Sequence, residues 1–123
     1  MELEELYSTD DAFAYIMEKK HLISFGTFKS HIHTFEHITP IRFGADAEGK
    51  RPRALLFTRR MLDAYIAGER PVTPTADEED AIIGANEAMD ESGLNRRNLK
   101  KLPSRVIGGV LVILRSDASK AGW

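Results

Sequence analysis

Residues 24–35 carry hydroxyl, imidazole and amine side chains along one side of a predicted helix. Ser24 is suited to cap this helix, because its hydroxyl can accept a hydrogen bond from an amide of the first turn. Apolar side chains share one sector of the 3.6-residue wheel: Phe25, Phe28, Ile32 and Phe35. Polar and small residues without an acid fill the opposite sector and its flanks: Gly26, Thr27, Lys29, Ser30, His31, His33 and Thr34. Such a face suits phosphates and the base edges of a major groove, although an ordinary amphipathic helix shows the same pattern.

A basic loop follows this helix. Alternating apolar residues predict two strands that flank residues 44–53: Ile41 and Phe43 before the segment, Leu55 and Phe57 after it. Glycine and proline within the segment favour a turn, so we expect a hairpin, or wing, with a cationic tip. Its bases are Lys50, Arg51 and Arg53, and Arg42 adds a further base on the first strand.

Two more helices are predicted on either side of these elements. Ser8 and Asp11 have capping-box spacing, and an apolar stripe follows them: Ala12, Phe13, Ile16 and Met17. Thr58 is expected to cap a third helix that ends at Gly68, with Met61, Leu62, Tyr65 and Ile66 buried. Arg59 and Arg60 begin that helix, where positive charge opposes the helix dipole. Two arginines at this position are explained either by contact with a phosphate or by ordinary exposure to solvent.

Three imidazoles within seven residues raise the question of a metal site. His31, His33 and His37 lack any cysteine or helical His-Glu-x-x-His partner. Positions two apart on a helix point in nearly opposite directions, so His31 and His33 cannot share a face while the helix continues. We therefore predict no metal site and no cofactor.

The first half of the chain resembles a known family. The similarity is carried by the opening Ser8-Thr9-Asp10-Asp11-Ala12, by residues 27–32, by Pro40-Ile41-Arg42-Phe43-Gly44 and by residues 56–66. These segments resemble the excisionase and MerR-like winged helix-turn-helix proteins of phages, plasmids and bacterial regulators. The resemblance implies that the second helix enters the major groove and that the wing lies along the adjacent backbone or minor groove. It implies base or phosphate contacts for Thr27, Lys29, Ser30, His31 and His33, and wing contacts for Arg42, Lys50, Arg51 and Arg53.

The second half is predicted to be an appended element after a linker at residues 69–75. Thr75 and Glu78 have capping-box spacing, and one helix is expected to run from there to Gly93, with Ala81, Ile82, Ala85 and Met89 as its apolar stripe. A basic run that would contact flanking DNA, or simply be solvated, comes next: Arg96, Arg97, Lys100 and Lys101. The apolar residues 106–114 predict one or two strands, which pack on the wing hairpin or across a dimer. Residues 116–123 are expected to be mobile.

Charge is segregated along the 123 residues, although the net charge is only −2. Residues 18–60 contain nine Lys and Arg and four acids. Residues 61–92 contain nine acids and a single base, Arg70, whereas residues 93–123 contain seven bases and a single acid, Asp117. Because the local field governs where a polyanion docks, two basic blocks outweigh the total charge. No cysteine, signal peptide or membrane-length apolar run occurs in the sequence, so a soluble cytoplasmic protein is expected, nucleoid-associated when bound.

These observations predict an α+β fold: a winged helix-turn-helix of three helices plus a hairpin wing at residues 1–68, and a C-terminal helix and strand at residues 76–123, a candidate element for oligomerisation. No phosphate-binding loop or nucleophile motif indicates an enzyme. We expect a sequence-specific protein that binds double-stranded DNA as a homo-oligomer, either an excisionase-like recombination directionality factor with a recombinase partner or a transcriptional regulator. One alternative is a protein-interaction adaptor that uses Phe35, the acidic helix after Thr75 and the C-terminal apolar strand to bind a recombinase or DNA-packaging machine. Another is an RNA-binding module, which is less favoured because the sequence lacks the aromatic sheet motif of such modules.

Overall fold

The computed structural model of the chain describes residues 2–34, 36–44 and 54–121. Within these ranges the fold is α+β, with six α-helices and two antiparallel three-stranded sheets, which confirms the predicted class. The wing bases Lys50, Arg51 and Arg53, together with Phe35, lie outside the described residues.

The first sheet and three helices form what we call the N-terminal unit. Its elements are β1 (Leu6–Tyr7), α1 (Thr9–Glu18), α2 (Phe25–Thr34), β2 (Ile41–Phe43), β3 (Ala54–Thr58) and α3 (Arg59–Ile66). β3 is the central strand, and β1 and β2 pair with it on either side. The predicted caps are confirmed, because the hydroxyls of Ser8 and Thr58 accept from the amides of Asp11 and Met61. Gly68 has φ of 90°, the left-handed conformation expected after α3.

The second sheet belongs to the C-terminal unit, which differs from the sequence prediction. It contains α4 (Ala76–Asp80), β4 (Ile82–Ile83), α5 (Ala85–Ser92), a 3₁₀ helix (Asn98–Lys101), β5 (Ser104–Ile107), β6 (Val110–Leu114) and α6 (Arg115–Ala121). The predicted single helix to Gly93 is wrong, because Ile82 and Ile83 pair with β6 and break it in two. The Thr75–Glu78 capping box is confirmed at the start of α4.

The apolar run at residues 106–114 forms two strands. β5 and β6 pair as a hairpin through Gly108 and Gly109, both with positive φ, and β6 also pairs with β4. Both strands therefore find their pairing partners within the chain. Their residues Ile107 and Val112 pack in the same core as Ile41 and Leu56 of the first hairpin, as one of the two predicted arrangements has it. The prediction of a mobile tail is wrong for residues 116–121, which continue α6; the buried Ala118 anchors that helix.

One apolar core spans both units. Leu6, Phe28, Phe57 and Tyr65 of the N-terminal unit belong to the same buried cluster as Val112 of the C-terminal unit. A smaller cluster fills the C-terminal unit: Ile83, Ala88, Leu99, Leu102, Ile113 and Ala118. The two units are thus packed against each other.

The segment predicted as a linker is packed on the N-terminal unit. Val72 is buried in the large core, and it forms an isolated parallel bridge with Ile38. The amide of Thr39 donates to the Val72 carbonyl at 2.8 Å, and the Val72 amide donates to the His37 carbonyl at 2.9 Å. The predicted linker is therefore fixed to the N-terminal unit by the backbone hydrogen bonds of Val72. In the described ranges, every helix is too short or too polar to cross a membrane.

Candidate nucleic-acid interface

The helix α2 is fixed by its cap and by its buried side. The Ser24 hydroxyl accepts from the Thr27 amide at 3.1 Å and donates to the Thr27 hydroxyl at 2.8 Å, as a residue preceding the first helical turn should. Phe28 and Ile32 are buried in the large core. The opposite side is exposed and carries no acid: Thr27, Lys29, Ser30, His33 and Thr34.

An aromatic contact positions the lysine on this side. The Lys29 ammonium lies 5.6 Å from the centre of the Phe25 ring, within the range of a cation–π interaction. Phe25 in turn packs edge-to-face on Phe13 of α1, with ring centres 5.0 Å apart. Phe25 is 37% exposed, so its ring supports the lysine at the surface rather than filling the core as predicted.

A shallow depression joins α2 to the hairpin. Its walls come from Lys29 and His33 of α2, Leu55 of β3, and the start of α1. Leu55 is directly opposite Arg42 in the antiparallel pair of β2 and β3, and directly opposed residues project from the same sheet face. The exposed Arg42 therefore shares a sheet face with Leu55, and it also lines a second depression with Glu79 and Glu87 of the C-terminal unit. An acid, Asp10, also lines the first depression.

His31 faces a different environment from its neighbours on α2. Its Nδ1 is 2.6 Å from the hydroxyl of the buried Tyr65, and its ring stacks on His37 with centres 3.8 Å apart. Burial lowers the pKa of His31, and the nearby His37, Arg70 and His21 lower it further. His31 is therefore neutral near pH 7 and half-buried against α3, so it adds no cation to the exposed side of α2. This corrects its assignment to that face.

The histidines do not converge on one point. His33 is exposed on the outer side of α2, while His31 and His37 lie together on the inner side. Within residues 2–34, 36–44 and 54–121, no three metal-binding side chains are grouped closely enough to hold an ion. The buried Nδ1 of His37 has no hydrogen-bond partner among the described residues.

The two arginines that begin α3 lie at the surface and form hydrogen bonds with other residues of this chain. Arg60 donates to both carboxylate oxygens of Glu78, with the shortest contact at 2.7 Å, and to the Thr73 carbonyl at 2.9 Å. Arg59 donates to the Tyr7 hydroxyl at 3.2 Å and to the Glu4 carbonyl at 3.3 Å. These contacts explain two cations at a helix N-terminus without a phosphate. Arg59 and Arg60 are exposed, but unlike the bases of α2 and β2 their guanidinium groups are engaged in hydrogen bonds with described residues of this chain.

The basic run of the second half is exposed on and beside the 3₁₀ helix. This applies to Arg96, Arg97, Lys100 and Lys101 alike. Two other bases of this half have structural contacts that the sequence did not indicate. Arg105 donates to the carbonyls of Leu3 and Leu6, both at 3.1 Å, and Arg115 binds Glu87, Glu91 and the Asp80 carbonyl. Both arginines contact residues far away in the sequence, so these contacts become visible only in the folded structure.

Comparisons with models of known protein families, with curated proteins and with solved structures find no match to this chain.

Proposed function

We propose that this chain is a sequence-specific, double-stranded DNA-binding protein whose N-terminal unit is a winged helix-turn-helix. The observation that carries the proposal is the exposed side of α2, which is free of acids and adjoins Leu55, the residue opposite Arg42 in the hairpin. A polyanion is favoured at such a surface because nothing on the helix repels phosphate, while hydroxyl and imidazole groups can exchange hydrogen bonds with bases.

In this mechanism α2 enters the major groove and the hairpin follows the adjacent backbone. Thr27, Ser30 and His33 contact base edges, and Lys29 neutralises a phosphate. Arg42 extends the same surface along β2. The bases of the hairpin tip, which lie outside the described residues, add further phosphate contacts. Phosphate contacts then set affinity and register, and the α2 side chains set sequence preference.

The biological role that we propose is excision or regulation in a phage or mobile element. The protein acts as an excisionase-like directionality factor beside a recombinase, or as a transcriptional regulator, and binds repeated sites as a homo-oligomer. Such a role places it in the cytoplasm, at the nucleoid when bound. The resemblance of residues 8–12, 27–32, 40–44 and 56–66 to excisionase and MerR-like proteins supports this part of the proposal.

The test is fluorescence anisotropy with a labelled random-sequence duplex and with duplexes selected from a random pool, each across a salt series. Lys29→Gln is expected to weaken binding to every duplex and to reduce the salt slope by about 1, because one phosphate is no longer neutralised. Ser30→Ala is expected instead to change the preferred sequence. Lys19→Gln removes one exposed charge from the far end of α1 and serves as the matched control.

A failure to retain any duplex at low salt would contradict the proposal and leave the adaptor hypothesis. The apolar run at residues 106–114 is available to an adaptor only in part, because Val112 and Ile113 are fully buried while Val106 is exposed. The acidic helix α4, which an adaptor would also use, is partly engaged as well, because its Glu78 forms an ion pair with Arg60. The buried valine and isoleucine and the ion pair reduce the apolar and acidic surface that an adaptor would use.

A further inference from the structure

We infer that the C-terminal unit is a second copy of the N-terminal architecture and carries a second DNA-binding surface, formed by Arg96, Arg97, Lys100 and Lys101. This inference rests on the proposed DNA-binding function of the N-terminal unit. It extends that function from one site on the DNA to two adjoining ones.

The first support is the order of the elements. A short helical segment comes first in each unit, the 3₁₀ helix Leu3–Glu5 in one and α4 in the other. Each unit then runs from a two-residue strand to a helix, a second helical segment, a hairpin and a final helix. The sheet orders correspond as well, β1-β3-β2 in the N-terminal unit and β4-β6-β5 in the C-terminal unit. In both sheets the strand that leads directly into the final helix occupies the centre.

The second support is the strand register. In the N-terminal unit, Leu6 begins the first strand and pairs with Thr58, the last residue before α3. In the C-terminal unit, Ile82 begins the first strand and pairs with Leu114, the last residue before α6. Because a shift of one residue would turn every side chain to the other face, the same register in both sheets indicates the same packing plan.

The third support comes from equivalent positions in the helix after the first strand and in the last helix of each unit. Ser8 and Gly84 each occupy the cap position between the first strand and its helix. Ala12 and Ala88 follow four residues later, and both are fully buried. At the other end, Leu62 and Ala118 each follow the end of the central strand by four residues and are also fully buried.

This correspondence places the 3₁₀ helix Asn98–Lys101 at the position of α2. The segment is shorter than α2, and the hairpin after it closes in two residues, Gly108 and Gly109, whose positive φ angles match a tight type I′ turn. A hairpin this short has no cationic tip. Any contact with DNA in this unit must therefore come from the helical segment and the bases beside it.

Charge identifies the partner of this segment as a polyanion. No Asp or Glu occurs from residue 93 to residue 116. The four exposed bases form no hydrogen bond or ion pair with another described residue, in contrast to Arg105 and Arg115. A cationic surface without acids attracts phosphates, and its position corresponds to the helix proposed to bind DNA in the N-terminal unit.

The two hairpins lie next to each other. A Cβ placed on Gly108 would be 3.3 Å from the Cβ of Ala54, the residue that re-enters β3 after the first hairpin loop. Gly108 and Leu55 also line a common depression with the start of α1. The tip of the second hairpin thus adjoins the base of the first, and the shared core holds the units in a fixed relation. We therefore expect one uninterrupted footprint on DNA.

Hydroxyl-radical footprinting of the full chain on its selected duplex, combined with a salt series, tests this inference. The C-terminal variant carries Arg96→Gln, Arg97→Gln, Lys100→Gln and Lys101→Gln. Its footprint is expected to shorten from one side only, and its salt slope to fall by about 1 for each phosphate that is no longer neutralised. The N-terminal variant, Lys29→Gln with Arg42→Gln, is expected to shorten the footprint from the other side. Lys19→Gln with Lys20→Gln is the control for the reduced positive charge.

The outcomes separate the two proposals. A full-length footprint and an unchanged salt slope in the C-terminal variant, with impaired binding in the N-terminal variant, would overturn the second surface and leave the proposed function in place. The absence of any footprint from the unaltered protein would overturn both. Circular dichroism shows whether each variant is folded, so that a missing footprint is not mistaken for unfolding.

Discussion

At the scale of single residues, Glu78 connects the two halves of the chain. Its carboxylate accepts from the Thr58 hydroxyl at 2.5 Å, from Arg60 and from the Thr75 amide. Burial alone would raise the pKa of Glu78, but the hydrogen bonds from Arg60, Thr58 and Thr75 outweigh it and lower the pKa to about 2. Thr58 also caps α3, so the same hydroxyl serves both contacts.

Glu78→Gln is expected to lower the free energy of unfolding by about 1–3 kcal/mol near pH 7, because the variant cannot form hydrogen bonds between charged groups. The folded protein binds fewer protons at Glu78 than the unfolded chain, whose carboxyl has its ordinary pKa of 4.5. This stabilisation is therefore fully present above about pH 4.5 and is lost as the pH falls towards 2. Urea unfolding between pH 7 and pH 3 measures both effects.

The neighbouring Glu79→Gln is the matched control, since Glu79 is exposed on the same helix. Equal decreases of stability in the two variants, or a decrease in Glu78→Gln that is unchanged at pH 3, would contradict the role assigned to Glu78.

At the scale of elements, local signals predicted the N-terminal unit well. The caps at Ser8, Ser24 and Thr58 and the stop at Gly68 depend on hydrogen bonds within a few residues, so the sequence contains them. The site was predicted less completely. The orientation of His31 depends on Tyr65, and the contacts of Arg60 depend on Glu78, both distant in sequence.

The first part of the C-terminal unit was wrongly predicted as one helix, because helix and strand signals overlap in its sequence. Ala81, Ile82, Ala85 and Met89 have helical spacing, but Ile82 and Ile83 are β-branched and find a partner in β6, and Gly84 then begins a new helix. Pairing with a strand about thirty residues away overrode the local pattern. The same competition concealed the correspondence between the two units.

The hairpin element carries its own prediction. Replacement of Lys50, Arg51 and Arg53 by Ala is expected to weaken binding to all duplexes alike and to reduce the salt slope by about 3, since phosphate contacts carry no sequence information. Fluorescence anisotropy across a salt series measures both quantities. Lys19→Ala with Lys20→Ala is the control, and an unchanged affinity and slope in the triple variant would count against the wing.

At the scale of the whole molecule, the shared core makes the two units mechanically one body. Leu6 and Phe57 pack in the same cluster as Val112 and Leu114, and Arg105 binds the carbonyls of the N-terminal segment. A rigid pair of units lets contacts made by one position the other without further loss of conformational freedom. If the proposed function holds, we expect the two units to make one continuous contact with a duplex rather than two independent contacts.

The most direct measurement is an NMR titration of the isotope-labelled full chain with its selected duplex, followed through backbone amide shifts. We expect the largest changes at Thr27, Ser30 and His33 and along β2 and β3, with a second group at residues 96–101. Changes confined to α3 and α4, or none at all under conditions of low salt, would contradict the account that the exposed side of α2 and the adjoining hairpin bind DNA.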